Sequence, residues 1–127
     1  MARSYHVDIA ALAADADNKW VDNLLTKCDI DGAESARQGV ARRITSGGIY
    51  NIALTRQLTR DLGLGTAVSV SLANRLLRDG QIEVSRNLFL SVDTARFKAE
   101  IDARVAEALD SFVPARRGRP PRRPERD

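Results

Sequence analysis

The end of this chain limits what the rest can fold into. From Pro114 to Asp127 the sequence holds six arginines, two acids and no large apolar side chain. Such a stretch buries nothing that offsets the entropy of ordering it, so residues 114–127 are expected to form a disordered basic tail. Residues 1–113 must then supply the whole core, which makes the chain one small domain with an appendage. Aromatic residues are only 5% of the sequence, so that core has to be Leu, Val, Ile and Ala.

Charge is distributed unevenly. The tail carries +4, which leaves −1 on the remainder of a chain whose formal charge is +3. Residues 35–60 hold Arg37, Arg42, Arg43, Arg56 and Arg60 without an acid, whereas residues 1–34 hold seven acids and three basic residues. The two arginine clusters are candidate phosphate contacts. Arginine outnumbers lysine 17 to 3, which suits phosphate forks and guanine edges and is also what a GC-rich genome produces. Cys28 is the single cysteine, so there is no disulfide framework and no multi-cysteine metal site. No apolar run approaches the ~18 residues of a membrane span, and the first residues lack a signal-peptide core. A cytoplasmic location is therefore expected, with no membrane partner.

Periodicity and punctuation outline the elements. Tyr5–Val7 reads as a lead-in. Asp8 can cap a first helix running to Asp15, with Ile9, Leu12 and Ala13 on one face. Asp15-Ala16-Asp17 supplies turn and cap chemistry. A second helix over about 17–27 points Trp20, Val21, Leu24 and Leu25 inward. Two short helices joined by a tight turn outline a helix-turn-helix. Asp29–Gly32 stops the second. Residues 33–47 are polar, Arg-rich and Gly-punctuated and predict a wing, with Val40–Thr45 as its returning strand and Gly47-Gly48 as a hinge. A long helix over about 48–62 repeats Tyr50, Leu54, Leu58 and Leu62 every four residues, ends at Gly63-Leu64-Gly65, and leaves Thr66 to cap the next. In residues 67–79, Val68, Val70 and Leu72 alternate as in a strand, but Asn74–Leu77 and the Asp79-Gly80 stop decide for a helix. Ile82 and Val84, then Leu88, Leu90 and Val92, predict two short strands around Arg86-Asn87. Asp93-Thr94 starts a last amphipathic helix, striped by Phe97, Ile101, Val105, Ala108, Leu109 and Phe112 and ended by Pro114.

Two resemblances follow from these residues. Val7–Ala13, Lys19–Val21 with Leu24-Leu25, Arg42–Thr45 and Leu58–Leu64, in that order, resemble the DNA-binding domain of the MerR superfamily. The likeness covers about residues 6–78 and lacks the family's long dimerising coiled coil and effector cysteines. It implies that the second helix enters the major groove with Asn18, Lys19, Asn23 and Lys27, although Asp17 and Asp22 make that helix acidic for a groove reader. Arg37, Arg42 and Arg43 on the wing would contact phosphates. In the tail, Arg117-Gly118-Arg119-Pro120 is similar to the core of the AT-hook, which implies arginines reaching into a narrow A·T-rich minor groove. A solvated basic tail is the plainer alternative.

The remaining polar residues form no catalytic set. His6 is the only histidine and belongs at a helix start; Cys28 and the dispersed aspartates make neither a nucleophile nor a calcium loop. The chain is therefore read as no enzyme and as having no cofactor. The expected fold is mainly α with small β: a winged helix-turn-helix over 1–80, a short β-hairpin and C-terminal helix over 81–113, and the disordered tail. The expected function is a bacterial, nucleoid-associated DNA-binding transcriptional regulator acting on double-stranded DNA as a homodimer. The stripe on residues 97–112 is a candidate dimer surface, with packing against the body as its alternative. Two other classes stay open: a nucleoid-type architectural protein, and an antitoxin-like or phage-encoded module that binds a second protein through residues 81–113.

Overall fold

The computed structural model describes residues 4–33 and 43–111. Arg37 and Arg42 of the expected wing, Arg117, Gly118, Arg119 and Pro120 of the expected tail, and Phe112 lie outside them. The described chain is mainly helical, with five helices and two small antiparallel sheets.

Helix α1 (Val7–Ala14) is capped by His6, not by Asp8: the His6 imidazole accepts the Asp8 N–H at 3.2 Å. Asp8 falls in the first turn, where a carboxylate suits the helix dipole. Ile9, Ala10, Ala11, Ala13 and Ala14 are buried, but Leu12 is 54% exposed, against the expectation that it faces inward. The alanines explain this, because their small side chains let α1 lie close against neighbours on two sides, α3 and α5, and leave Leu12 on the third. Asp15 turns the chain in the left-handed region (φ 58°), and Asp17 caps α2 (Asn18–Lys27) by accepting the Trp20 N–H at 2.8 Å. Val21 and Leu24 are buried on α2, and Trp20, Leu25 and Cys28 pack partly against the same core.

The lead-in is a strand. β1 (Ser4–Tyr5) pairs antiparallel with β2 (Ile44–Thr45), and Ala33 bridges Ile44 from the other side. Ile44 thus sits between Tyr5 and Ala33 and is fully buried. The wing's returning strand is shorter than expected at the described end, since Arg43 lies outside it and Ile44 begins it. Gly47 and Gly48 are not a hinge but the first turn of α3 (Ser46–Leu62). A Cβ on Gly48 would stand 2.7 Å from the Gly32 carbonyl oxygen and 2.8 Å from Ile44 Cγ2, so only glycine lets the helix start press against the wing base. Gly32 has φ +92°, which L side chains rarely adopt.

Helix α3 runs through the centre. Ile49, Ile52, Ala53, Leu54 and Leu58 are buried, while Leu62, expected on the inward stripe, is 55% exposed. The inward face follows the 3.6-residue turn and drifts off a strict four-residue row, so Leu62 has rotated out by the last turn. Helix α4 (Thr66–Asp79) confirms the helical reading of that segment, but its cap position is Gly65, with no side-chain cap bond, and Thr66 is already helical. β3 (Gln81–Ser85) and β4 (Leu88–Ser91) form the expected hairpin, turning at Asn87 with φ 62°. Asp93 then accepts the Arg96 N–H at 3.1 Å at the start of α5 (Thr94–Ser111).

Residues 81–111 share the core of the rest. Ile82 packs with Leu54, Leu58, Ala73 and Leu76, and Ile101, Val105 and Ala108 are buried with α1 and α3. The α5 stripe thus takes the packing alternative, and its middle is not open to a second chain.

Candidate nucleic-acid interface

Helix α2 is amphipathic because its apolar residues fall at 20, 21, 24 and 25, one turn apart. The opposite face carries Lys19, Asp22, Asn23, Thr26 and Lys27, all exposed. Lys19, Asn23 and Lys27 are spaced by four residues and share that face. Asp22 interrupts them with a negative charge. Thr26 completes the row one turn past Asp22 and donates to the Asp22 carbonyl at 2.8 Å. It was missed in the sequence, although its seven-residue spacing from Lys19 was the signal.

Asn18 does a different job. Its amide donates to the Asp8 carboxylate of α1, a contact that ties the starts of the two helices together. The bond braces α2 against α1. In the sequence alone Asp8 shows only a capping role, because its donor Asn18 lies ten residues away.

The wing base is held by a small polar knot. Thr45 N–H donates to the Gly32 carbonyl at 2.8 Å, and the Thr45 hydroxyl accepts the Gly48 N–H at 3.2 Å, capping α3. Asn51 reaches back to the Asp31 carbonyl at 3.2 Å. Arg43 is exposed here, and its guanidinium donates to the Ser4 hydroxyl at 3.2 Å and to the Ser4 carbonyl at 3.5 Å. Two of the guanidinium's five donors are thus engaged by Ser4.

The arginine cluster of residues 35–60 does not form one patch among the described residues. The Arg56 guanidinium lies 5.3 Å from the centre of the Trp20 ring, joining α3 to α2. Arg60 is paired at 3.1 Å with both Asp15 in the inter-helix turn and Asp61. Both hold the helix-turn-helix to α3. The Tyr50 hydroxyl donates to Asp102 of α5 at 2.6 Å, tying α3 to α5. Burial and this bond push its hydroxyl up to about 12.

An open cleft of about 290 Å3 separates α2 from the start of α4 and is lined by Trp20, Asn23, Leu24, Lys27 and Thr66. Among the described residues, no group of His, Cys, Asp and Glu stands together as a metal site, and no helix is long and apolar enough to cross a membrane. No family model matches the chain, and neither the curated proteins nor the solved structures contain a significant match to it.

Proposed function

We propose that this chain is a DNA-binding transcriptional regulator of the MerR type, acting on the bacterial nucleoid as a homodimer. The observation that carries the reading is the α1–α2 unit. A tight turn capped by Asp15 and Asp17 presents α2 with Lys19, Asn23 and Lys27 in solvent on one face. A helix so presented fits the major groove, where Asn23 has the amide geometry to read adenine and the lysines can take phosphates or guanine. Arg43 at the wing base, with Arg37 and Arg42 beyond it, supplies backbone contacts that set the docking register.

The arm adds a second, weaker site. Arg117 and Arg119 around Gly118, followed by Pro120, suit an A·T-rich minor groove beside the main site. Tethering two weak sites raises the effective concentration of the second. Deleting residues 114–127 is expected to leave the melting temperature unchanged and to weaken binding most on A·T-flanked duplexes at equal salt. Equal weakening on G·C-flanked duplexes would reduce the arm to a generic cation.

Genome-wide occupancy of the full chain tests the function itself. Discrete peaks are expected. Continuous coverage would replace the regulator with an architectural nucleoid protein, and no occupancy would remove DNA as the partner.

A further inference from the structure

We infer that a second copy of this chain docks along the outer edge of β4, extending the hairpin into a four-stranded antiparallel sheet across a two-fold axis at Phe89. The inference gives the homodimer of the proposed function its interface, and no DNA contact enters it.

The first observation is exposure. Leu88 and Phe89 are 57% and 53% exposed and adjacent on β4. Alternate residues of a strand face opposite sides, so both faces of β4 present an apolar side chain to water. The second is the character of the edge. β4 (Leu88–Ser91) carries no charge and no proline, the devices that normally keep an edge from pairing, and among the described residues it pairs with β3 alone. β3 carries a charge, Glu83.

The ladder shows which groups are free. Val92 N–H donates to the Gly80 carbonyl at 2.9 Å, and Gln81, Ile82 and Glu83 pair with Ser91, Leu90 and Phe89. Bonded and non-bonded pairs alternate along an antiparallel ladder. The Gly80–Val92 and Ile82–Leu90 pairs are therefore the bonded ones, and the N–H and C=O of Phe89 and Ser91 point away from β3. A strand arriving antiparallel on that side finds donors and acceptors ready.

The strand is complementary to itself. Centred on Phe89, the run Asn87-Leu88-Phe89-Leu90-Ser91 reads polar, apolar, apolar, apolar, polar in both directions. A two-fold axis there exchanges both bonds between the two copies of Phe89 and stacks the two rings as a cross-strand pair on the outer face. Leu88 meets Leu90 of the second copy, so the other exposed apolar side chain is covered by the same operation. The free edge groups and the polarity of the strand agree with one register.

Sedimentation of the full chain without DNA, under reducing conditions, reads the first consequence. The wild type is expected at twice its 13.9 kDa mass, and Phe89→Lys at the monomer mass with its helical signal retained. A second measurement reads the register in a Cys28→Ser background. Opposed residues in a bonded pair stand about 5.5 Å apart at Cα, within disulfide range. Phe89→Cys is therefore expected to cross-link to a dimer on mild oxidation, and Glu83→Cys, on the same outer face but one strand away, is not. A monomeric wild type, a Phe89→Lys variant that stays dimeric, or equal cross-linking of the two cysteines would each overturn the inference. Because no DNA is present, such a failure leaves the DNA-binding reading standing, and loss of DNA binding would leave this one standing.

Discussion

The exposed face of α2 and the outer edge of β4 are both left unused by the fold, and they differ in what water does to them. Lys19, Asn23 and Lys27 are hydrated at little cost, which on the proposed reading suits a partner that competes with water by charge. Leu88 and Phe89 stand in water unfavourably, so β4 gains by being covered at any time. A polar surface of this kind fits an intermittent, salt-sensitive contact. An apolar edge fits a lasting one. On the proposed reading, the first would meet a polyanion and the second a copy of the same chain. The core between them, α3 with α1 and α5 packed against it, fixes their relation.

The largest effect tests whether that core owns the α5 stripe. Ile101→Ala is expected to cost about 3–4 kcal/mol, as for other buried aliphatic side chains cut to alanine. The loss, measured by urea unfolding, should be the same at low and high protein concentration. A loss that vanishes on dilution would return the stripe to a dimer interface and collapse the contrast with β4. Next in size is the wing base. Gly48→Ala drives a Cβ against the Gly32 carbonyl and Ile44, and should cost about 2–3 kcal/mol. Its effect on dimer mass should be nil once the chain is folded, because the β4 edge is remote in the chain from this knot. A dimer lost together with the wing base would join the two surfaces that the account separates.

A smaller effect is pH-dependent. Tyr50 has its hydroxyl raised from 10.0 to about 12, first by burial and then by its bond to Asp102. The folded state therefore holds a proton that the unfolded state has lost between those values. Stability is full below pH 10 and declines as pH rises towards 12. Tyr50→Phe should flatten part of that alkaline decline in melting temperature. An unchanged decline would place it on other groups.

Much of this arrangement was legible in the sequence. Long-period patterns gave α2, α3 and α5, and the Asp79-Gly80 stop settled α4 against its strand-like valines. What escaped depended on distant partners. β1 is two residues long, and its pairing with Ile44 and Thr45 has no periodicity to announce it. His6 capping α1 depends on an imidazole acting as acceptor, an uncommon cap. Leu12 and Leu62 were placed inward by spacing alone, which cannot say how many sides of a helix are covered. On α2, Lys19, Asn23 and Lys27 are exposed, and Asn18 donates to Asp8. Arg56 and Arg60 were legible as basic residues but not as partners of Trp20, Asp15 and Asp61, which lie 36 to 45 residues away or beside them.

The most direct test of the central claim is a salt titration of duplex DNA binding by the full chain and by Lys19→Ala/Lys27→Ala. Both lysines are exposed, so the double variant should keep the wild-type melting temperature. The wild type should lose affinity steeply and linearly on a log–log plot. The variant should bind more weakly at low salt, with a slope smaller by about 1.8, at 0.9 per lost phosphate contact. A flat wild-type response, or a variant whose slope and affinity match the wild type, would contradict α2 as the surface that meets DNA.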